Sequence, residues 1–143
     1  MIANELADKV ARAMFAAEGT GPAWGVEIEE VREGYARIRM RLRPDMLNGH
    51  GIGHGGMIFA LADTAFAYAC NSRNLRSVAA QASIVFLDSA RDGETLIAEC
   101  EERALVGRSG VYDVKVTGEG GRAIAEFQGF SRGIGGEVVE EDS

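Results

Sequence analysis

Nine consecutive residues, Asn48-Gly49-His50-Gly51-Ile52-Gly53-His54-Gly55-Gly56, put an amide, two imidazoles and five glycines into one short segment. They run directly into a stretch, Gly55 to Ser72, whose one charged residue is Asp63. At helical spacing the neighbours of Asp63 are Phe59, Phe66 and Ala67. A carboxylate in such surroundings costs several kcal/mol or titrates upward, roughly in line with other desolvated acids, and is seldom kept without a partner or a task. The glycine segment offers what an acid of that kind can work with. Free N–H groups at a helix start, aided by the helix dipole, favour an oxygen gaining negative charge. Glycines let a ligand approach that backbone, which is the general design of an oxyanion hole. The structural alternatives are an Asp bonded to loop backbone or lying on a surface strip, and a glycine loop with no ligand.

Other chemistries fit these residues less well. Gly51, Gly53 and Gly56 satisfy G-x-G-x-x-G between a strand and a helix, but a dinucleotide fold should continue with alternating helices and strands. His50 and His54, with Asp63, could suggest a metal, but two histidines in an irregular glycine loop have no firm third ligand, and no CxxC or Cys/His cluster suggests zinc. Cys70 shares the helical stripe of Asp63 and reads as a core thiol.

The elements that must position these residues follow from patterning. Residues 1–18 form an N-terminal helix with Leu6, Val10, Ala13, Met14 and Ala17 in register, stopped by Gly19, Gly21 and Pro22. Trp24 to Val31 and Tyr35 to Leu42 read as strands joined by a turn at Glu33-Gly34, the second with one wet face. After an irregular segment, Pro44 to Gly56, a helix runs from Met57 to about Ser72, apolar on nearly every side and therefore buried. Four β-rich runs follow: Ser77 to Phe86, Thr95 to Arg103, Ser109 to Thr117 and Arg122 to Ser131. Glycines separate them, so successive strands are expected to be antiparallel. One twisted sheet wrapping one apolar helix, an α+β arrangement, buries all of this economically. At 143 residues and 46% apolar composition, the chain reads as a single domain spanning 1–143 with one core. Two cysteines are too few for a disulfide scaffold, and a net charge of −7 disfavours nucleic acid or anionic lipid as a partner. Residues 137–143 read as an acidic, frayed tail. The N-terminus lacks the basic start and unbroken apolar segment of a secretory signal, and no stretch is long enough to span a membrane, so a cytoplasmic setting is expected.

The chain resembles the hotdog-fold thioesterases, and among them the phenylacetate-degradation thioesterase family. The family pattern stands here as Asn48, Gly51, His54-Gly55-Gly56 and Asp63. Leu47 to His50, Leu61 to Ser72, Gly110-Val111-Tyr112-Asp113 and Ser131 to Gly136 are similar as well, with Gly133 as an extra residue. The resemblance implies a curved antiparallel sheet around a central helix, and hydrolysis of acyl-coenzyme A thioesters, aromatic acyl groups favoured, with no cofactor. It also implies roles: Gly55 N–H as the oxyanion hole, Asp63 as the catalytic acid, either a general base that activates water or a nucleophile that attacks the carbonyl to form a mixed anhydride, Asn48 and His54 orienting thioester or water, and Thr64 near the catalytic water. Gly56 and Phe59 are expected to contact substrate.

Geometry adds a constraint. Gly55 and Asp63 are eight residues apart, about 12 Å along a helix, whereas base and oxyanion donor must both sit about 3 Å from the reacting group. Two antiparallel helices across a twofold axis would bring Gly55 of one chain to Asp63 of the other, predicting a homodimer with two shared sites. The resemblance extends this to a dimer of dimers, a homotetramer. Arg73, Arg76, Arg103 and Arg108, at element ends, are candidates for the coenzyme A phosphates, with Arg73 and Arg108 taken as substrate-binding. Competing functions are a hydroxyacyl thioester dehydratase of the same fold, with His54 as base, and a non-catalytic acyl-coenzyme A-binding hotdog protein. The first is expected to carry prolines around its histidine, where this chain has only Pro22 and Pro44 in total; the second would be expected to have lost the acid.

Overall fold

The computed structural model describes residues 1–141. Helix α1 spans Ala3–Ala17 and buries Ala7, Val10 and Ala11 against the first strand. The glycines end it as expected, but the chain then makes one more short turn of helix, α2 (Thr20–Ala23), before β1 (Glu27–Arg32). Trp24 therefore closes a helix rather than opening a strand, and Gly25, at φ 68°, turns the chain into the sheet. β1 and β2 (Tyr35–Arg41) form the expected hairpin, with Gly34 at φ 73° in the turn.

Helix α3 spans Gly55–Cys70. It starts two residues earlier than patterning suggests, because the first turn of a helix tolerates glycine when the cap is satisfied. Asn71 ends it by donating to the carbonyls of Ala67 (2.9 Å) and Ser77 (3.1 Å). The remaining strands are β3 (Ser77–Phe86), β4 (Thr95–Val106), β5 (Ser109–Thr117) and β6 (Ala123–Gly133).

All six strands form one antiparallel sheet in the order β1-β2-β4-β5-β6-β3. The concave face holds α3 over a core of Leu61, Ala65, Phe66, Ile38, Val114 and Phe127. This is the curved sheet around a central helix that the sequence predicts. One expectation fails: β3 and β4 are consecutive but not neighbours. The link between them, residues 87–94, is bonded across the sheet end, Gly53 N–H to the Ala90 carbonyl (2.7 Å) and Leu42 N–H to the Glu94 carbonyl (2.9 Å). It delivers β4 beside β2 and leaves β3 on the far edge, paired only with β6.

Two further expectations need correction. Helix α3 is not covered on every side: Leu61, Ala62, Ala65, Phe66, Tyr68 and Ala69 are buried, but Gly56 is exposed and Ala60, Asp63, Thr64 and Ala67 are half-buried along one strip. The sheet curls round only part of the helix. The acidic tail is held rather than frayed through residue 140. Asn74 accepts from the Val138 and Val139 N–H groups (both 2.9 Å) and donates to the Val139 carbonyl (2.8 Å), and Lys9 donates to the Glu140 carbonyl (3.2 Å). Residues 142–143 of that tail lie outside the described residues. Among the described residues, no helix is long and apolar enough to cross a membrane.

Candidate active site

The glycine segment before α3 is folded by its own polar groups. Asn48 N–H donates to the Ile52 carbonyl (2.8 Å), and its side-chain Oδ1 accepts from His50 N–H (2.9 Å) and Ile52 N–H (3.3 Å). Gly51, at φ 77°, closes this turn in a conformation that a side chain would strain. Asn48 thus builds the loop with its oxygen, and its amide N–H₂ has no acceptor among the described residues. His54 N–H is fixed to the Met46 carbonyl (2.9 Å), and the imidazole becomes the helix cap: Nδ1 accepts from Gly56 N–H (2.9 Å). Nδ1 is therefore the unprotonated nitrogen in this arrangement, and Nε2 is left for a ligand or solvent.

The cap sorts the first amides of α3. Gly56 N–H is used by His54 Nδ1, and Met57 and Ile58 N–H both donate to the His54 carbonyl (2.9 and 3.2 Å). Gly55 N–H has no acceptor among the described residues. It borders a cavity of about 460 Å³ with Asn48, Ile58, Phe86, Leu87 and Ser89 on its walls. Phe86 lies over Gly55 so closely that an added Cβ would stand 3.0 Å from the ring. The site accordingly has one free N–H at the positive end of a 16-residue helix, opening onto space.

Asp63 sits two turns further along the uncovered strip of α3. It makes no hydrogen bond or ion pair with any described residue, and burial pushes its carboxyl above the ordinary aspartate value. Neither purely structural account applies in full: no loop backbone binds it, and the strip it lies on is half-buried. Thr64 donates its hydroxyl back to the Ala60 carbonyl (2.7 Å), which leaves its oxygen as an acceptor. Cys70 is held protonated: burial, then the nearby Asp63 charge, push its thiol up to about 12. His50 is exposed on the loop, and no group of three His, Cys, Asp or Glu that could hold a metal ion occurs among the described residues.

The aromatic candidates divide. Phe66 and Tyr68 are core residues, Phe66 against Tyr112 (centroids 5.5 Å) and Tyr68 bonded through its hydroxyl to Glu18. Phe59 is half-buried, edge-on to Phe127 at 5.3 Å. Of the arginines, Arg73 is bound by Glu33 (2.8 Å) and Glu102 (3.0 Å), and Arg103 by Asp113 (2.6 Å). Arg76 and Arg108 line one cavity at the other end of α3. Phe86 and the 87–90 link, which form the wall facing Gly55, carry no local sequence signal, and only the fold brings them there.

The thioesterase superfamily pattern matches residues 50–125 of this chain. The acyl-coenzyme A thioesterase PaaI of Escherichia coli strain K12 is 41% identical over 131 residues, 92% of this chain and 94% of that one. The structure of the E. coli PaaI protein from the phenylacetic acid degradation operon superposes with a TM-score of 0.93 at 40% identity, covering 95% of this chain and 99% of that one. A thioesterase-type protein from Streptococcus pneumoniae, solved with coenzyme A, superposes with a TM-score of 0.76 at 27% identity, covering 78% and 90%.

Proposed function

The chain belongs to the thioesterase superfamily, and from that premise we propose that it hydrolyses acyl-coenzyme A thioesters, aromatic ones preferred, in sites shared by two protomers. One observation carries the reading: α3 leaves a single N–H, that of Gly55, unanswered at its start, and a single half-buried acid, Asp63, unanswered on its open strip. The thioester carbonyl oxygen accepts from Gly55 N–H, where the helix dipole and a fixed amide favour the charge that develops on it. Asp63 of the partner subunit takes a proton from the attacking water. The new C–O bond forms, the C–S bond breaks, and the thiolate leaves with the proton returned to it. Asn48, through its free amide, and His54, through Nε2, orient the thioester or the water. Gly56 and Thr64 flank the reacting centre, and Phe59 is the aromatic wall nearest the acyl group.

The bare edge of β3 supports the shared site. The strand is Ser-Val-Ala-Ala-Gln-Ala-Ser-Ile-Val-Phe, uncharged throughout, with Val78, Val85 and Phe86 exposed and one row of backbone groups unpaired. An antiparallel pairing of two β3 strands would extend the sheet, set two α3 helices side by side in opposite directions, and cover the small-residue strip that carries Asp63. The resemblance would then stack two such dimers.

A panel of phenylacetyl, hydroxyphenylacetyl, benzoyl and straight-chain coenzyme A esters tests the reading, scored for free thiol. Release from all, fastest with the aromatic esters, is expected. Alkene formation without thiol release would replace hydrolysis by dehydration, and silence across the panel would end the proposal.

A further inference from the structure

A cavity of about 320 Å³ lies between the end of α2, the end of β2 and the 91–94 turn, and shares no lining residue with the cavity beside Gly55. Trp24, Leu42 and Pro44 give it apolar surface, and Arg41, Arg43 and Asp92 give it charge. The charged groups divide. Arg43 is already spent: Nε and Nη2 donate to the Asp45 carboxylate (3.0 and 3.2 Å), and Nη1 donates to the Ala23 carbonyl (3.0 Å). Arg41 and Asp92 are exposed and make no side-chain hydrogen bond or ion pair with any described residue, including each other. Trp24 is the one tryptophan in the chain. It is half-buried against the core, and its indole N–H has no acceptor among the described residues.

The backbone fixes where these groups stand. Arg41 ends β2, in register with Thr95 of β4. Gly93 N–H donates to the Leu42 carbonyl (2.9 Å), Leu42 N–H to the Glu94 carbonyl (2.9 Å), and Glu94 N–H to the Arg91 carbonyl (3.0 Å). The turn that carries Asp92 is thereby pinned to the residue after Arg41, with Gly93 at φ 81°. On the other wall, Trp24 N–H donates to the Thr20 carbonyl (2.9 Å), and the Arg43 bond to Ala23 ties α2 to the segment after β2.

One unanswered guanidinium, one unanswered carboxylate and an indole therefore face one small space. A guanidinium fork grips a carboxylate through two N–H groups, a carboxylate accepts from an ammonium, and the indole with Leu42 and Pro44 suits an apolar body. A simple carboxylic acid would bring an anion to Asp92, and a simple amine a cation to Arg41; like charges so placed oppose binding. A zwitterion answers both. We propose that this cavity binds a free α-amino acid with an aromatic side chain, its carboxylate on Arg41, its ammonium on Asp92 and its ring against Trp24, at a site separate from the thioester.

Trp24, alone of its kind, reports on the site through its emission. Titration with phenylalanine should change that emission saturably, and Arg41→Gln and Asp92→Asn should each weaken binding at least about tenfold, the loss of one charge-assisted contact. Neither side chain bonds to the rest of the chain, so both variants should fold, with unchanged far-UV circular dichroism. Phenylacetate and phenethylamine, which carry one of the two charges each, should bind at least about tenfold more weakly than phenylalanine. Saturating coenzyme A should leave the titration unaltered. A non-saturating signal overturns the proposal, as do equal affinities in the two variants or loss of the signal with coenzyme A. If phenylacetate binds as tightly as phenylalanine, the cavity takes a carboxylate alone and the amino-acid assignment falls. No turnover enters the measurement, so its result is independent of the hydrolase reading.

Discussion

The β1-β2-β4 side of the molecule and the β3 side differ in how their polar groups are answered. At the β1 edge, Glu27 meets Arg39 at 2.8 Å, Glu29 meets Arg37 at 3.6 Å, and the Arg32 guanidinium stacks on Tyr35 at 3.8 Å. Each such surface pair is worth little, about 0–1 kcal/mol, but together they charge the edge and discourage pairing with another chain. Deeper on that side, Glu94 is 4% exposed and fully engaged: Oε1 accepts from Arg91 N–H (2.9 Å) and Arg122 (3.0 Å), Oε2 from Glu119 N–H (2.9 Å). Burial works to raise its carboxyl, yet the Arg122 bond and the two amides outweigh it and hold it below the ordinary glutamate value. On the β3 side the edge is uncharged and exposed, and Asp63 has burial without partners. The lesson is that the first side answers its polar groups within one chain, while the second leaves an edge and an acid unanswered among the described residues, which is what the proposed shared site would use.

Removing Asp63 should break this contrast where the effect is largest. Asp63→Ala is expected to lower thioester hydrolysis by about 10²–10⁴-fold with the fold intact, since the carboxylate makes no hydrogen bond or ion pair with any described residue. Mixed dimers of Asp63→Ala and Asn48→Ala chains should regain activity, because one of their two sites keeps both an intact loop and an intact acid. Purified heterodimers that stay inactive would place acid and amide in the same protomer and remove the reason for the open side.

Glu94→Ala probes the complete side, and its effect should fall on stability. Three hydrogen bonds to a buried carboxylate disappear and Arg122 loses one of its partners, a loss of about 2–4 kcal/mol in urea unfolding. Turnover per folded molecule should stay within about twofold, because Glu94 bonds to none of the residues proposed to act on the substrate. An unchanged urea midpoint would show that satisfied burial on this side does not hold the fold, and the comparison would lose its reference.

What was legible in the sequence follows the same division. Gly55 and Asp63 stand out because each breaks a local rule, a glycine at a helix start and a charge in an apolar run, whereas Asn48 is marked only by the family resemblance. The bounds of β3 and β5 were readable because alternation stops at a turn or a glycine. The neighbours were not readable. Phe86 over Gly55, Glu94 under Arg122 and Arg73 between Glu33 and Glu102 are contacts between residues distant along the chain, and no periodicity encodes them. The link 87–94 misled for that reason: its glycine and polar residues look like a hairpin loop, while its hydrogen bonds run to Leu42 and Gly53. The α3 strip reads as buried from sequence because Ala60 and Ala67 count as apolar whether or not the sheet covers them.

The smallest effect is the most specific. Asp63→Asn keeps the shape and removes the charge. Because burial raises the Asp63 carboxyl in the folded chain, its contribution to stability is fully present below the unfolded value, about 3.9, and is lost as pH rises through the higher folded value. At neutral pH the charged, unpartnered carboxylate is therefore a cost, and the Asn variant should melt about 1–3 °C higher. In acid, below about pH 3.5, both side chains are neutral and the two melting curves should converge. Glu94 has the opposite sign: its lowered value means that stability is present above the unfolded value and lost as pH falls, so Glu94→Gln should cost most at neutral pH and least in acid. Thermal melts of the two variants at pH 7 and in acid read this directly. A lower melting temperature for Asp63→Asn at pH 7 would mean that the carboxylate already has a favourable partner, and that an acid poised but unanswered is the wrong description of the β3 side.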